Sequence, residues 1–437
     1  MTQTDGTRIV LAAGLRLPQA RAGGAYMQED AGHLGARAAR ELIAQTGVDP
    51  ASIDEVIVGC AGPPHDQANI ARVIALRAGV PRSVPAHTVA RNCASGMQAV
   101  TTAATEIEAG HGSLYLAMGV EVMSQYPLLF NKKAVGFFGR LAKARSLGQR
   151  LGAMASFRPA FMAPRIAITE GLTDPTTGLI MGKTAENLAR DFGITRDEAD
   201  AYALESHARA TRSREAGRFA REILPHLPQG ARKNSGALVH DDGIRDDQSM
   251  ERLGKLRPYF EKPDGTVTVG NACGITDGAC AIFVATEERA KSLGLTPLAR
   301  LKSYAWSGCD PSRMGLGPVY SSARAMEKVG VELSDIDVVE INEAFAVQVL
   351  ACMRAFESEE FATRELGRTK PVGKIDPAKL NINGGAIALG HPVGSTGARL
   401  LLTTAHELEA SDKELGLATL CIGGGQGGAC VLERWAA

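Results

Sequence analysis

GARAARELIAQTGVDPASIDEVIVGCA (35–61) and SSARAMEKVGVELSDIDVVEINEA (321–344) follow one plan. Each opens with an Ala-rich stretch of helical periodicity, turns, passes an acidic lead-in and ends in an apolar run of strand length. Apolar strands bounded by turns and fed by helices are the mark of an α/β protein with buried parallel strands. A second pairing extends the first. Cys93 precedes the helical SGMQAVTTAATEIEAG (95–110) and the run SLYLAMGVEVMS (113–124); His391 precedes STGARLLLTTAHELEA (395–410) and LGLATLCIGGGQG (415–427). The chain therefore divides into two similar halves. They are separated by a more polar stretch, 125–270, that reads as an inserted loop domain. This stretch holds TAENLARDFGITRDEADAYALESHARAT (184–211), a helical segment.

The totals bound what such a chain does. Its 437 residues exceed one ordinary core and call for two or three packed domains. Lys+Arg and Asp+Glu are both 48, so no global field draws the chain to nucleic acid. The eight cysteines form no CxxC pair and no disulfide-like spacing, which points to reduced thiols in a cytoplasmic compartment. No HExxH or CxxC suggests a metal site. The start, MTQTDGTRIVLAAGLRLP (1–18), has neither a secretory nor a transit pattern, and no run of membrane-spanning length occurs.

Four motifs carry the chemistry. In ARNCASGMQAV (90–100), Cys93 stands where a helix begins, a position whose free N–H groups favour thiolate; a buried core cysteine is the plain alternative. In NINGGAIALGHPVGSTGARLL (381–401), His391 sits among glycines, where an imidazole beside a thiol takes its proton. In CIGGGQGGACVLE (421–433), Cys421 ends a buried strand and the following glycines expose amides suited to an oxyanion. In INEAFA (341–346), Asn342 has an amide for a water or an oxyanion, while Glu343 reads as either a functional acid or a solvated turn acid.

In this order, NCASGMQAV, NEAFA, GGAIALGHPVGSTGAR and CIGGGQGGA resemble the thiolase family over essentially the whole chain, with GTVTVGNACGITDGA (265–279) and KLRP (255–258) adding to the match. The resemblance implies a five-layered αβαβα fold. An N-terminal half (1–124, completed by about 271–295) carries Cys93, a loop domain (125–270) binds coenzyme A and the acyl chain, and a C-terminal half (296–437) carries Asn342, His391 and Cys421. It implies that Cys93 is the acylated nucleophile and His391 its base. Cys421 is then the acid/base at the α-carbon, Asn342 the holder of an oxyanion-hole water, and Gly423 the N–H donor of a second hole. Arg245 and Cys273, where the family usually has serine, match coenzyme A contacts; Met181, Met314 and Phe345 match the acyl pocket or ordinary core. Coenzyme A is the implied co-substrate, acyl-CoA the substrate, and no cofactor is bound permanently.

Two departures point away from acetoacetyl-specific members: Ile180 stands where they have histidine, and about 126–170 is an extra stretch. That stretch resembles an insertion in the thiolase subunit of the β-oxidation complex, implying 3-ketoacyl-CoA thiolysis, with biosynthetic acetyl-CoA acetyltransferase as the alternative. Between Glu121 and Glu170 there is no acid but eight bases: Lys132, Lys133, Arg140, Lys143, Arg145, Arg150, Arg158 and Arg165. Phe137, Leu141, Leu147, Leu151 and Met154 recur at helical spacing. A basic amphipathic helix over 132–165 contacts a membrane or a partner, or packs its apolar face at home. The family further implies a homodimer or homotetramer and a hydratase/dehydrogenase partner subunit.

Overall fold

The computed structural model describes residues 8–230 and 236–436. Residues 1–7, where the reading for targeting signals begins, lie outside the described residues, as do 231–235 of the loop stretch and residue 437. The strands are β1 (Ile9–Arg16), β2 (Ala20–Arg21), β3 (Glu55–Gly59), β4 (Ala86–Val89), β5 (Leu114–Val122), β6 (Leu128–Phe130), β7 (Pro164–Ile166), β8 (Thr276–Thr286), β9 (Ala299–Gly308), β10 (Val338–Ile341), β11 (Leu415–Ile422) and β12 (Gln426–Arg434). All four apolar runs singled out in the sequence contain one of them: β3, β5, β10 and β11.

Sheet topology makes the repeat explicit. The order is β10-β11-β12-β9-β1-β8-β5-β3-β4, with β2 alongside β8. The two halves meet at a seam of two residue pairs, Val10 with Arg300 and Leu11 with Ala299. On one side β3 and β5 are parallel, while β5–β8 and β8–β1 are antiparallel. On the other, β10 and β11 are parallel, while β11–β12 and β12–β9 are antiparallel. The parallel pairs require crossovers, and each strand β5 or β11 is entered from a long helix, Ser95–Glu108 or Val393–Ser411.

Side-chain alternation along the strands builds the layers. On β5, Leu114, Leu116 and Met118 join the core shared with helices Ala31–Thr46 and Ile70–Ala78, whereas Tyr115 and Ala117 face the two long helices. On β11, Ala418, Leu420 and Ile422 face those same helices from the other side. Leu417 and Cys421 point outward, to the core shared with helices Gly317–Glu327 and Ala346–Glu357. Helix, sheet, helix pair, sheet, helix is the five-layer αβαβα arrangement. The central pair must approach closely, and a Cβ on Gly96 would stand 2.8 Å from Gly394 O and from Ala398 N.

The loop stretch departs from its reading in two places. Segment 184–211 is not continuous: helices Met181–Asp191 and Arg196–Glu215 are separated by Gly193 (φ +60°) and restarted by a Thr195–Glu198 capping box. Likewise the stripe Phe137–Met154 is not one helix. Helix Lys132–Lys143 ends, and Ser146 with Gln149 caps a new one, Leu147–Ala155, framed by the β6–β7 ribbon. Phe137 packs inward on Phe138, Phe157 and Phe161, while Leu147, Leu151 and Met154 are exposed. Among the described residues, no helix is long and apolar enough to cross a membrane.

Candidate active site

Cys93 lies in the 3-10 turn Asn92–Ala94, which runs directly into helix Ser95–Glu108. Asn92 is left-handed (φ +43°), a conformation asparagine tolerates, and its Nδ2 donates to Gly423 O at 2.9 Å. The tie brings the glycine turn after β11 over the thiol, and the Gly423 N–H donates to Cys93 Sγ. The helix terminus does not leave Cys93 as a resting thiolate. Burial raises the Cys93 pKa, and the Gly423 N–H and the residue's own N–H only partly oppose it. Desolvation outweighs the dipole because a thiolate loses more hydration here than two amides return.

His391 is held on three sides. Its N–H donates to Thr276 Oγ1 (2.7 Å), and Nδ1 lies 2.6 Å from Thr396 Oγ1. The Thr396 hydroxyl gives its single proton to Pro392 O (3.0 Å), so its oxygen accepts from Nδ1–H and Nε2 keeps its lone pair. Asn342 Nδ2 lies 3.4 Å from that Nε2. Burial, with Arg399 adding to it, pushes the imidazole pKa down to about 3. Thiol and imidazole are thus both neutral at rest.

Asn342 and Cys421 arrive from the C-terminal half, at the ends of β10 and β11. Asn342 Oδ1 is buried without a protein partner among the described residues, the acceptor that a water or a substrate group satisfies. Burial holds the Cys421 thiol well above its usual range, and negative charge on Cys93 would raise it further, so it rests protonated. Cys273 joins them. Its N–H donates to Ala344 O (3.1 Å), and burial pushes its thiol up to about 12. Glu343 is not a solvated turn acid: it is buried and accepts from Tyr202, Ser206, Asn381 and the Ile387 N–H, pinning the turn that follows β10.

Two clefts reach this cluster. A cavity of about 360 Å³ has Asn92, Cys93, Gly423 and Gly424 among its lining. Its apolar walls include Met123, Tyr126, Ile168, Leu172 and Met181. Glu121 positions this wall, accepting from the Tyr126 hydroxyl (3.0 Å) and from the Ala61, Gly62 and Gly394 N–H groups. Met314 and Phe345 do not line it; at 3% and 7% exposure they pack in the outer core with Cys421. Apolar composition alone does not separate wall from core. The second cleft is narrow, with Arg245, His207, Gln248, Thr276 and Gly390 in its lining, and Ala272 and Gly274 flank Cys273 there. Thr276, Thr396, Asn92 and Glu121 were missed as candidates. Three of them lay inside quoted motifs: Asn92 beside Cys93, Thr396 five residues after His391, and Thr276 in GTVTVGNACGITDGA.

The thiolase N-terminal domain model matches residues 9–288 and the thiolase C-terminal domain model matches 295–434. A probable acetyl-CoA acyltransferase of Staphylococcus aureus (strain N315) is 42% identical over 432 residues, covering 98% of this chain and 100% of the relative. A 3-ketoacyl-CoA thiolase of Pectobacterium carotovorum subsp. carotovorum (strain PC1) is 40% identical over 429 residues, covering 98% and 97%. Human mitochondrial 3-ketoacyl-CoA thiolase in complex with CoA superposes with a TM-score of 0.84 at 35% identity, covering 98% of each chain. Bacillus anthracis acetyl-CoA acetyltransferase does so with 0.85 at 36%, again covering 98% of each. The chain belongs to the thiolase family and is an acyltransferase.

Proposed function

We propose that the protein is a degradative 3-ketoacyl-CoA thiolase of fatty-acid β-oxidation that favours medium or long acyl chains. The observation that carries this reading is the apolar cavity above Cys93, deepened by Tyr126 and Ile168 from the extra stretch and by Leu172 just beyond it. A substrate with only a methyl group beyond its ketone has no use for such a wall.

In this reading His391 Nε2 takes the Cys93 proton as the sulfur attacks the substrate ketone, and protonated His391, with a water held by Asn342, then donates to the substrate thioester oxygen. The carbon–carbon bond next to the ketone breaks, its electron pair leaves as the acetyl-CoA enolate, and the Cys421 thiol protonates that carbon. The Cys93 and Gly423 N–H groups hold the thioester oxygen in the second half-reaction, when the coenzyme A thiol attacks acyl-Cys93. Its proton restores the starting state, giving ping-pong kinetics. Arg245 and the backbone around Cys273 receive the coenzyme A arm, for which a narrow cleft is the right shape.

The similarity to acetyl-CoA acetyltransferase structures favours a second reading, biosynthetic condensation of two acetyl groups. Thiolysis kcat/KM measured across a chain-length series decides between them. A rise from acetoacetyl-CoA to longer chains is expected, and a strong preference for acetoacetyl-CoA would overturn the proposal. The reading includes a homodimer or homotetramer in the cytoplasm. Co-purification of a hydratase/dehydrogenase subunit would place it in a β-oxidation complex.

A further inference from the structure

Strand β10 and helix Val393–Ser411 pack together between the two sheets, and each leads to one half of the His391–Asn342 contact. β10 is four residues long and ends the sheet. Val338 faces the central helices while Val339 and Ile341 face the outer core, so Glu340 and Asn342 share the inward side with Val338. On the helix, Arg399 follows Thr396 by one turn and lies on the same face, and Thr396 holds His391 Nδ1. Arg399 Nη1 donates to Glu340 Oε2 at 3.3 Å, and the two residues are 0% and 1% exposed. Among the described residues this is the one side-chain hydrogen bond between strand and helix.

Its energetics do not suit a stabilising role. Burial pushes Glu340 up to about 8 against the pull of Arg399, so at neutral pH it is mostly an uncharged acid beside a guanidinium. Arg399 Nε, Arg399 Nη2 and Glu340 Oε1 have no protein partner among the described residues. A buried charge so poorly partnered contributes little to stability, and a pair of apolar side chains in its place is often neutral or better. What the contact supplies is register between strand and helix. We infer that Arg399 and Glu340 are positioning residues that set the 3.4 Å separation of Asn342 Nδ2 from His391 Nε2. His391 is registered to Cys93 separately, by the close approach of Gly96 to Gly394 and Ala398, so loosening the pair displaces Asn342 alone. The inference rests on the roles proposed above, in which His391 and the water on Asn342 donate to the substrate thioester oxygen as the carbon–carbon bond breaks. Acyl transfer to Cys93 from a simple acyl-CoA relies on the Cys93 and Gly423 N–H groups instead and serves as the internal control.

Two rates, measured on the wild type and on Arg399→Met/Glu340→Met, test the inference: thiolysis of a 3-ketoacyl-CoA and acylation of Cys93 by a simple acyl-CoA. Thiolysis kcat should fall about 10- to 100-fold with KM within about twofold, while acylation falls no more than about twofold. Glu340→Gln imitates the neutral acid and keeps an oxygen for Arg399, so it should retain most of the thiolysis. Arg399→Lys keeps the charge but not the guanidinium fork; it should show the same split and carries the test should the double variant fail to fold. Equal losses in both reactions, unchanged thiolysis, or Glu340→Gln as impaired as the double variant would overturn the inference. Asn342→Ala tells the causes of failure apart. A split there and none in the double variant removes only the pair, whereas no split in either removes the proposed role of Asn342 as well. The split measured on acetoacetyl-CoA supports the inference even where a preference for that substrate sinks the long-chain reading.

Discussion

Replacing Thr396 with valine removes one hydroxyl and keeps the volume of a side chain that touches no substrate. In the wild type, that oxygen accepts from His391 Nδ1–H at 2.6 Å while its own proton goes to Pro392 O, and this fixes the lone pair on Nε2. Valine leaves a buried N–H without an acceptor, at a cost of about 1–3 kcal/mol. The imidazole escapes that cost by moving its proton to Nε2, where it can no longer take one from Cys93. Depleting the competent tautomer by that free energy lowers kcat/KM for thiolysis by roughly 5- to 150-fold. Thr396→Ser, which keeps the oxygen, should recover most of the loss, so a merely structural defect is separable. Steady-state thiolysis in the three proteins, with thermal melts alongside, is the assay. A Thr396→Val rate within about twofold of wild type, or a serine variant as impaired as the valine one, would refute the tautomer argument.

Other consequences follow from the same geometry. His391 is held at about pKa 3 when folded and takes up its proton near its ordinary value when unfolded, so the unfolded chain binds the extra proton between those values. Its contribution to stability is complete above about pH 6.5 and is lost as pH falls toward 3, with a slope of up to about 1.4 kcal/mol per unit. Urea unfolding between pH 6.5 and 5 should show a shallower slope in His391→Gln; equal slopes would contradict the burial argument, since His207, held at about 4, is common to both proteins. Cys421→Ala should still accept an acyl group onto Cys93 from a simple acyl-CoA but lose carbon–carbon thiolysis by about 10²–10⁴-fold. Equal losses in the two reactions would remove Cys421 from the carbon-acid step. Leu172→Trp should fill the cavity wall and lower the long-chain to short-chain kcat/KM ratio at least about tenfold, and an unchanged ratio would place the acyl chain elsewhere.

Much of this was legible before folding. Strands β3, β5, β10 and β11 announced themselves as apolar runs ending in glycine or polar turns, and the two-half plan followed from their order. Asn342 and Cys421 stood at the ends of two of those runs, and Cys93 and His391 just ahead of the helices that lead into β5 and β11. What stayed hidden depends on three-dimensional neighbours. Thr276 meets His391 from 115 residues away, and nothing local in either segment marks the contact. Met314 and Phe345 fit pocket lining and ordinary core alike because core and wall use the same side chains, and the fold places them in the core. Apolar spacing carries across Ser146 and suggests one helix over the basic stretch, although Ser146 and Gln149 form a legible capping signal that divides it. A helix terminus is visible in sequence and desolvation is not, so the motif favours a thiolate at Cys93 where burial keeps the thiol.

The central claim is a covalent acyl group on Cys93. Mixing the enzyme with a 3-ketoacyl-CoA and no free coenzyme A, quenching in acid and weighing the Cys93 peptide tests it directly. The account requires a mass gain equal to the acyl group shortened by two carbons, absent in Cys93→Ala and discharged on adding coenzyme A. An acyl group on Cys421 or Cys273, or turnover with no acylated peptide, would contradict it.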